Sequence, residues 1–143
     1  MLKNISKSLI LLSLLTQVIY NKNIKIEEKQ LKTILVKYFS DKNTPILLGS
    51  QFYKNKNGYT IQIDIKNVEL NINEVIFLCF KSLNKISKIS KKNLTELIVI
   101  IHFDENNLPV VIKAENDCLN RFFNNSIKDK SDWKNNCLNI GTL

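Results

Sequence analysis

The chain has 143 residues, a formal net charge of +8 and a hydrophobic fraction of 44%. That length suits one domain with enough apolar residues for a single core, so disulfides are not obligatory for folding. Lysine, asparagine and isoleucine each occur 20 times, against one arginine, one alanine and three glycines. The abundant residues have A/T-rich codons, so genome composition accounts for the basic charge more simply than selection for an acidic partner. Net charge alone therefore does not establish nucleic-acid binding.

Residues 1–20 read MLKNISKSLILLSLLTQVIY. Lys3 and Lys7 precede an apolar run from Leu9 to Leu15 that extends through Val18 and Ile19, which is the layout of a secretory signal peptide. Ser13, Thr16 and Gln17 make it too short and too interrupted for a membrane span. No Ala-x-Ala-like cleavage site follows, and Tyr20, Asn21 and Lys22 are poor substitutes. A buried N-terminal helix and an uncleaved anchor are the competing readings. The organisation expected is a signal peptide over 1–20 and one α+β domain over 21–143.

Asn23 to Ser40 reads as a helix. Glu27 and Glu28 suit its first turn, where the helix dipole favours anions, and Leu31, Ile34, Leu35 and Tyr38 form its apolar stripe. Thr44-Pro45 ends it. Ile46 to Tyr53 reads as a strand and Asn57-Gly58 as a turn. Tyr59 to Lys66 alternates Tyr59, Ile61, Ile63 and Ile65 with Thr60, Gln62, Asp64 and Lys66, the pattern of a strand with one wet face.

Asn71 to Lys92 is the most legible helix. At 100° steps Ile72, Val75, Ile76, Cys79, Leu83 and Ile86 share one arc, and Lys81, Lys85, Lys88 and Lys92 share the opposite one. Asn71 caps its start, with Glu74 in the capping-box position. Leu94 to Phe103 reads as a strand, unbroken in apolar residues from Leu97 to Ile101 and so buried on both faces. Asp104 to Asn107 is a hairpin loop, and Leu108 to Ala114 the return strand. Glu115 to Phe123 and Asp132 to Asn139 are short helices, the second capped by Ser131.

This order predicts an α+β two-layer sandwich: two hairpins forming an antiparallel or mixed sheet of about four strands, the long helix packed on one face, and short C-terminal helices.

Of three cysteines, Cys79 falls on the buried arc, and Cys118 and Cys137 form the natural disulfide if the chain is exported. With no Cys-x-x-Cys and a single histidine, no metal site or cofactor is expected. His102 sits with Ile98 and Ile100 on one side of its strand. Asp104 is the carboxylate nearest to it in sequence, and packing explains this histidine better than catalysis does. The surface feature worth naming is the basic helix face, Lys81, Lys85, Lys88, Lys91 and Lys92. It suits phosphates or an acidic partner, although arginine and aromatics for reading or stacking bases are scarce. The function expected is that of a small exported non-enzymatic binding protein, secreted, periplasmic or at the cell envelope, whose partner is another protein; inhibitor, immunity-type and envelope-accessory roles all fit. The alternative is a cytosolic nucleic-acid-associated protein using the lysine-rich face.

Overall fold

A computed structural model describes residues 25–67, 69–124 and 129–143. The leader assigned to residues 1–20 lies outside the described residues. Helix α1, Glu28–Tyr38, buries Leu31 and Leu35. It starts later than its sequence pattern implies because Ile26 is taken into a parallel bridge with Ser90. Ile26 N donates to Ile89 O at 2.7 Å, and Lys91 N donates to Ile26 O at 3.0 Å.

Strands β1, Ile46–Asn55, and β2, Gly58–Lys66, form an antiparallel hairpin with a bulge at Leu48. Helix α2, Ile72–Ile89, carries the chain over to β3, Leu94–His102, which runs parallel to β2. Asn71 caps α2 as its sequence implies, its side chain accepting from Asn73 N at 3.0 Å and Glu74 N at 3.4 Å. Such a cap satisfies backbone donors that the first helical turn otherwise leaves unpaired. Strand β4, Val110–Glu115, returns antiparallel to β3 and leads straight into helix α3, Asn116–Phe123. Helix α4 is Lys130–Cys137, capped by Asp129 rather than Ser131; the Asp129 side chain accepts from Ser131 N at 2.9 Å.

Among the described residues the sheet is mixed and five-stranded, in the order β1-β2-β3-β4-β5. Its last strand, β5, spans Leu138–Thr142 and pairs antiparallel with β4. Leu138 and Asn139, which the sequence pattern assigns to the last helix, lie in this strand instead. A five-residue strand such as LNIGT is too short to show period-two alternation.

The helices lie on one side of the sheet. Toward them point Ile61, Ile63, Ile65, Leu97, Val99, Ile101, Ile112 and Ala114, all in the core with Val75, Cys79, Phe80, Leu83 and Ile86 of α2. Alternation places Gln62, Asp64, Glu96, Ile98, Ile100, His102, Val111 and Lys113 on the other side. At the end of the helical layer Trp133 is buried against Phe122, with ring centroids 5.1 Å apart and nearly parallel planes. Phe77 and Phe80 meet the same indole edge-on. Geometries of this kind add to the area that aromatic rings bury. The aromatic cluster gives the short helix α4 its anchorage, which a helix of eight residues lacks by itself.

Candidate functional site

Lys81, Lys85 and Lys88 line the exposed side of α2, where their spacing places them. Lys81 Nζ lies 5.7 Å from the centre of the Phe77 ring, and Lys85 Nζ lies 5.9 Å from that of Tyr38, packing cations on aromatic faces. Tyr38, assigned to the apolar stripe of α1, is instead exposed beside Lys85. Lys91 and Lys92 are differently employed. Lys91 Nζ is 2.6 Å from a Glu27 carboxylate oxygen, and Lys92 Nζ is 2.7 Å from one of Glu28. These pairs fasten the start of α1 to the segment after α2, so the row available to a partner is Lys81, Lys85 and Lys88.

The hydrogen bond from Lys92 holds the Glu28 carboxyl below its usual range, and the same bond raises the Lys92 ammonium above its own. Lys32 Nζ, 3.2 Å from Glu28, adds to the first effect. Lys92 also lies 4.8 Å from the Tyr59 ring centre.

Cys118 of α3 and Cys137 at the end of α4 form a disulfide, with Cα atoms 5.5 Å apart. Cys79 is a free, buried thiol whose burial pushes its pKa far up, so it sits in the core as a small apolar group.

The helix-free side of the sheet carries its own polar set. His102 Nε2 is 3.4 Å from Asp64 Oδ1, Gln62 Nε2 donates to Asp64 Oδ2 at 3.1 Å, and Tyr53 Oη reaches Gln62 at 3.4 Å. Desolvation, then the charges of Glu96 and Asp64, raise the Tyr53 phenol above its usual pKa. Asp104, the carboxylate nearest to His102 in sequence, turns into its own loop and accepts from Asn106 N and Asn107 Nδ2. The pairing with Asp64 arises from the parallel β2–β3 register, in which Lys66 stands opposite His102 and Asp64 opposite Ile100. Nothing local in either strand announces it; the only signal was that Asp64 fell on the wet side of β2.

Between α2 and α4 opens a cleft of about 560 Å³ with Leu70, Val75, Phe77, Leu78 and Trp133 along it. Lys134 Nζ donates to Asn73 Oδ1 at its rim.

Among the described residues no group of three or more His, Cys, Asp or Glu side chains is placed to hold a metal ion. No described helix is long and apolar enough to cross a membrane. Compared with protein-family models, curated proteins and solved structures, the chain matches none.

Proposed function

We propose that the chain is an exported, non-enzymatic binding protein that engages another protein across the helix-free side of its sheet. The observation that carries this reading is the composition of β3. A strand as continuously apolar as Leu97–Ile101 normally has both its faces covered. Here the helices account for Leu97, Val99 and Ile101; no described helix lies over Ile98 and Ile100, although both are nearly buried, at 5% and 8% exposure, so the apolar floor they make is narrow.

In register, Ile98 is flanked by Gln62 and Lys113, and Ile100 by Asp64 and Val111. Tyr53 and His102 stand further out. An apolar floor framed by polar and aromatic side chains is the anatomy of a protein–protein interface. The Cys118–Cys137 disulfide supports export, because such bonds persist in oxidising compartments.

The test has two arms. The intact mass of protein purified from its host without reductant should lack about twenty N-terminal residues. A photo-crosslinking residue at Gln62 or Lys113 should capture a defined protein in the host, and one at Lys81 should not. A full-length mass, or equal capture from both sides, would sink the reading. The lysine row supports a second reading, association with nucleic acid, because Lys81, Lys85 and Lys88 make no ion pair within the described residues. That reading requires a DNA or RNA affinity that falls steeply with salt.

A further inference from the structure

Strand edges that face solvent are ordinarily guarded by charge, proline, a bulge or a cover, because their free N–H and C=O groups recruit other strands. Among the described residues the sheet has two edge strands, β1 and β5, which differ in that respect. Strand β1 follows Pro45, carries the bulge at Leu48 and includes Lys54. Strand β5, LNIGT, has no charge and no proline, and it runs in unbroken register with β4. Ile140 is 59% exposed on it, and Leu143 and Leu108 are 70% and 67% exposed at its end.

The direction of the free groups can be read from the ladder. Leu143 N donates to Pro109 O at 3.4 Å, so Pro109 and Leu143 are a hydrogen-bonded pair. Antiparallel ladders alternate bonded and non-bonded pairs. Val111 with Gly141 and Lys113 with Asn139 are then the next bonded pairs, and Ile140 and Thr142 turn N–H and C=O away from β4. The Leu138 N–H is taken by Lys134 O at the end of α4, which leaves the Leu138 carbonyl outward.

We propose that this edge pairs with β5 of a second copy, antiparallel about a twofold axis through Ile140, to give a continuous sheet across the dimer. The strand is self-complementary in that register. Ile140 exchanges both bonds with the second copy's Ile140, and Thr142 N–H meets the second copy's Leu138 carbonyl. The two isoleucine side chains meet on the helix side, where Ile140 already stands beside Ile112. Charge also selects this edge. A chain of net charge +8 repels its own copy, and an uncharged strand is where two copies approach at least electrostatic cost. A single short strand buries little area, so the dimer is weak and forms in the micromolar range or above.

The experiment is sedimentation velocity on the protein as its host produces it, disulfide intact, from low micromolar to near-millimolar concentration. The wild type should shift from monomer to dimer, and more readily at higher salt, which screens the repulsion. Ile140→Pro removes the outward donor while sparing the bonds from Asn139, Gly141 and Leu143 to β4, and should weaken the dimer by about 30-fold or more. Ile140→Lys should do the same through charge. Lys81→Glu should dimerise at least as well as wild type. Amide hydrogen exchange gives a second readout that needs no variant. The Ile140 and Thr142 amides should gain protection as concentration rises, while those of Asn139 and Gly141 stay protected throughout. A wild type that remains monomeric, an Ile140→Pro dimer as tight as wild type, or Ile140 and Thr142 amides indifferent to concentration would each overturn the proposal.

Discussion

Asn84 Nδ2 on α2 donates to Asn116 Oδ1 at the start of α3 across 3.2 Å, and both side chains are buried. Asn84 Nδ2 also reaches Asn120 Oδ1 at 2.7 Å, and Ser87 Oγ donates to Asn116 Oδ1 at 3.1 Å. Asn116 Nδ2 in turn donates to Leu94 O at 2.9 Å. One asparagine thus joins the long helix, the short helix and the first residue of β3. Groups paired in this way inside a protein contribute modestly while intact, and removing one leaves the others buried without partners.

Asn116→Ala should therefore cost about 2–3 kcal/mol, since the Leu94 carbonyl loses its side-chain donor, Ser87 Oγ and Asn84 Nδ2 each lose an acceptor, and Asn84 is left with Asn120 alone. Asn120→Ala should cost about 1 kcal/mol or less, because Asn84 retains Asn116. Urea unfolding checks both: the midpoint should move and the slope should not. Equal costs for the two variants would show that Asn116 is not the hub.

This network also marks the limit of what the residue pattern could reveal. Periodicity placed α2, the β2 alternation and the doubly buried β3, because each rests on apolar residues at fixed spacing. Asn84 is not among the apolar residues whose spacing defines the buried arc of α2. It is buried only because α3 packs beside α2, a contact set by topology. The same holds for Lys91 and Lys92, which read as part of a free basic face and are engaged by Glu27 and Glu28 more than sixty residues earlier. The Cys118–Cys137 pair, expected on the condition of export because Cys79 falls on the buried arc of α2 and the other two lie in short C-terminal elements, is bridged in the structure.

Gly58 closes the β1–β2 hairpin, and its place against β3 admits no side chain. A Cβ there would stand 2.7 Å from Asn93 O and 2.9 Å from Thr95 Cγ2. Tyr59 N donates to that same Asn93 carbonyl at 3.0 Å, so the backbone cannot draw back without losing the bond. Gly58→Ala should cost about 1–3 kcal/mol. Gly49→Ala, where a Cβ meets nothing within 4 Å, should change stability by no more than about 0.5 kcal/mol. Thermal unfolding of the pair separates local crowding from a general intolerance of glycine replacement.

The disulfide closes a loop between residues 19 apart in sequence. Chain-entropy estimates for such a loop give about 3 kcal/mol, acting through the unfolded state. Reduction should lower the melting temperature while α4 stays docked, because Trp133 remains buried among Phe77, Phe80 and Phe122. Tryptophan emission at 25 °C should keep its buried wavelength after reduction. A shift toward solvent-exposed emission would mean that the bond, and not the aromatic cluster, holds α4 in place.

Lys92 separates the role of one charge from that of its stem. Its ammonium pairs with Glu28 and lies over the Tyr59 ring, and both carboxylate and ammonium are partly exposed. An ion pair in that setting is worth about 1 kcal/mol or less. Lys92→Met keeps a stem against Tyr59 and removes the charge. The Glu28 carboxyl should then titrate closer to its ordinary 4.5, as followed by NMR. Because the folded pKa of Glu28 is depressed, the pair's stabilisation is present above the unfolded value and is lost as pH falls through the folded one. The raised pKa of Lys92 sets the other limit, where the same stabilisation fades as pH rises through it. Wild type should thus be more stable than Lys92→Met at neutral pH, with the gap closing in acid and narrowing in salt. Lys81→Met, at a lysine that pairs with no carboxylate among the described residues, should show no such pH-dependent gap. A gap that persists below the Glu28 titration would assign the contribution of Lys92 to its contact with Tyr59.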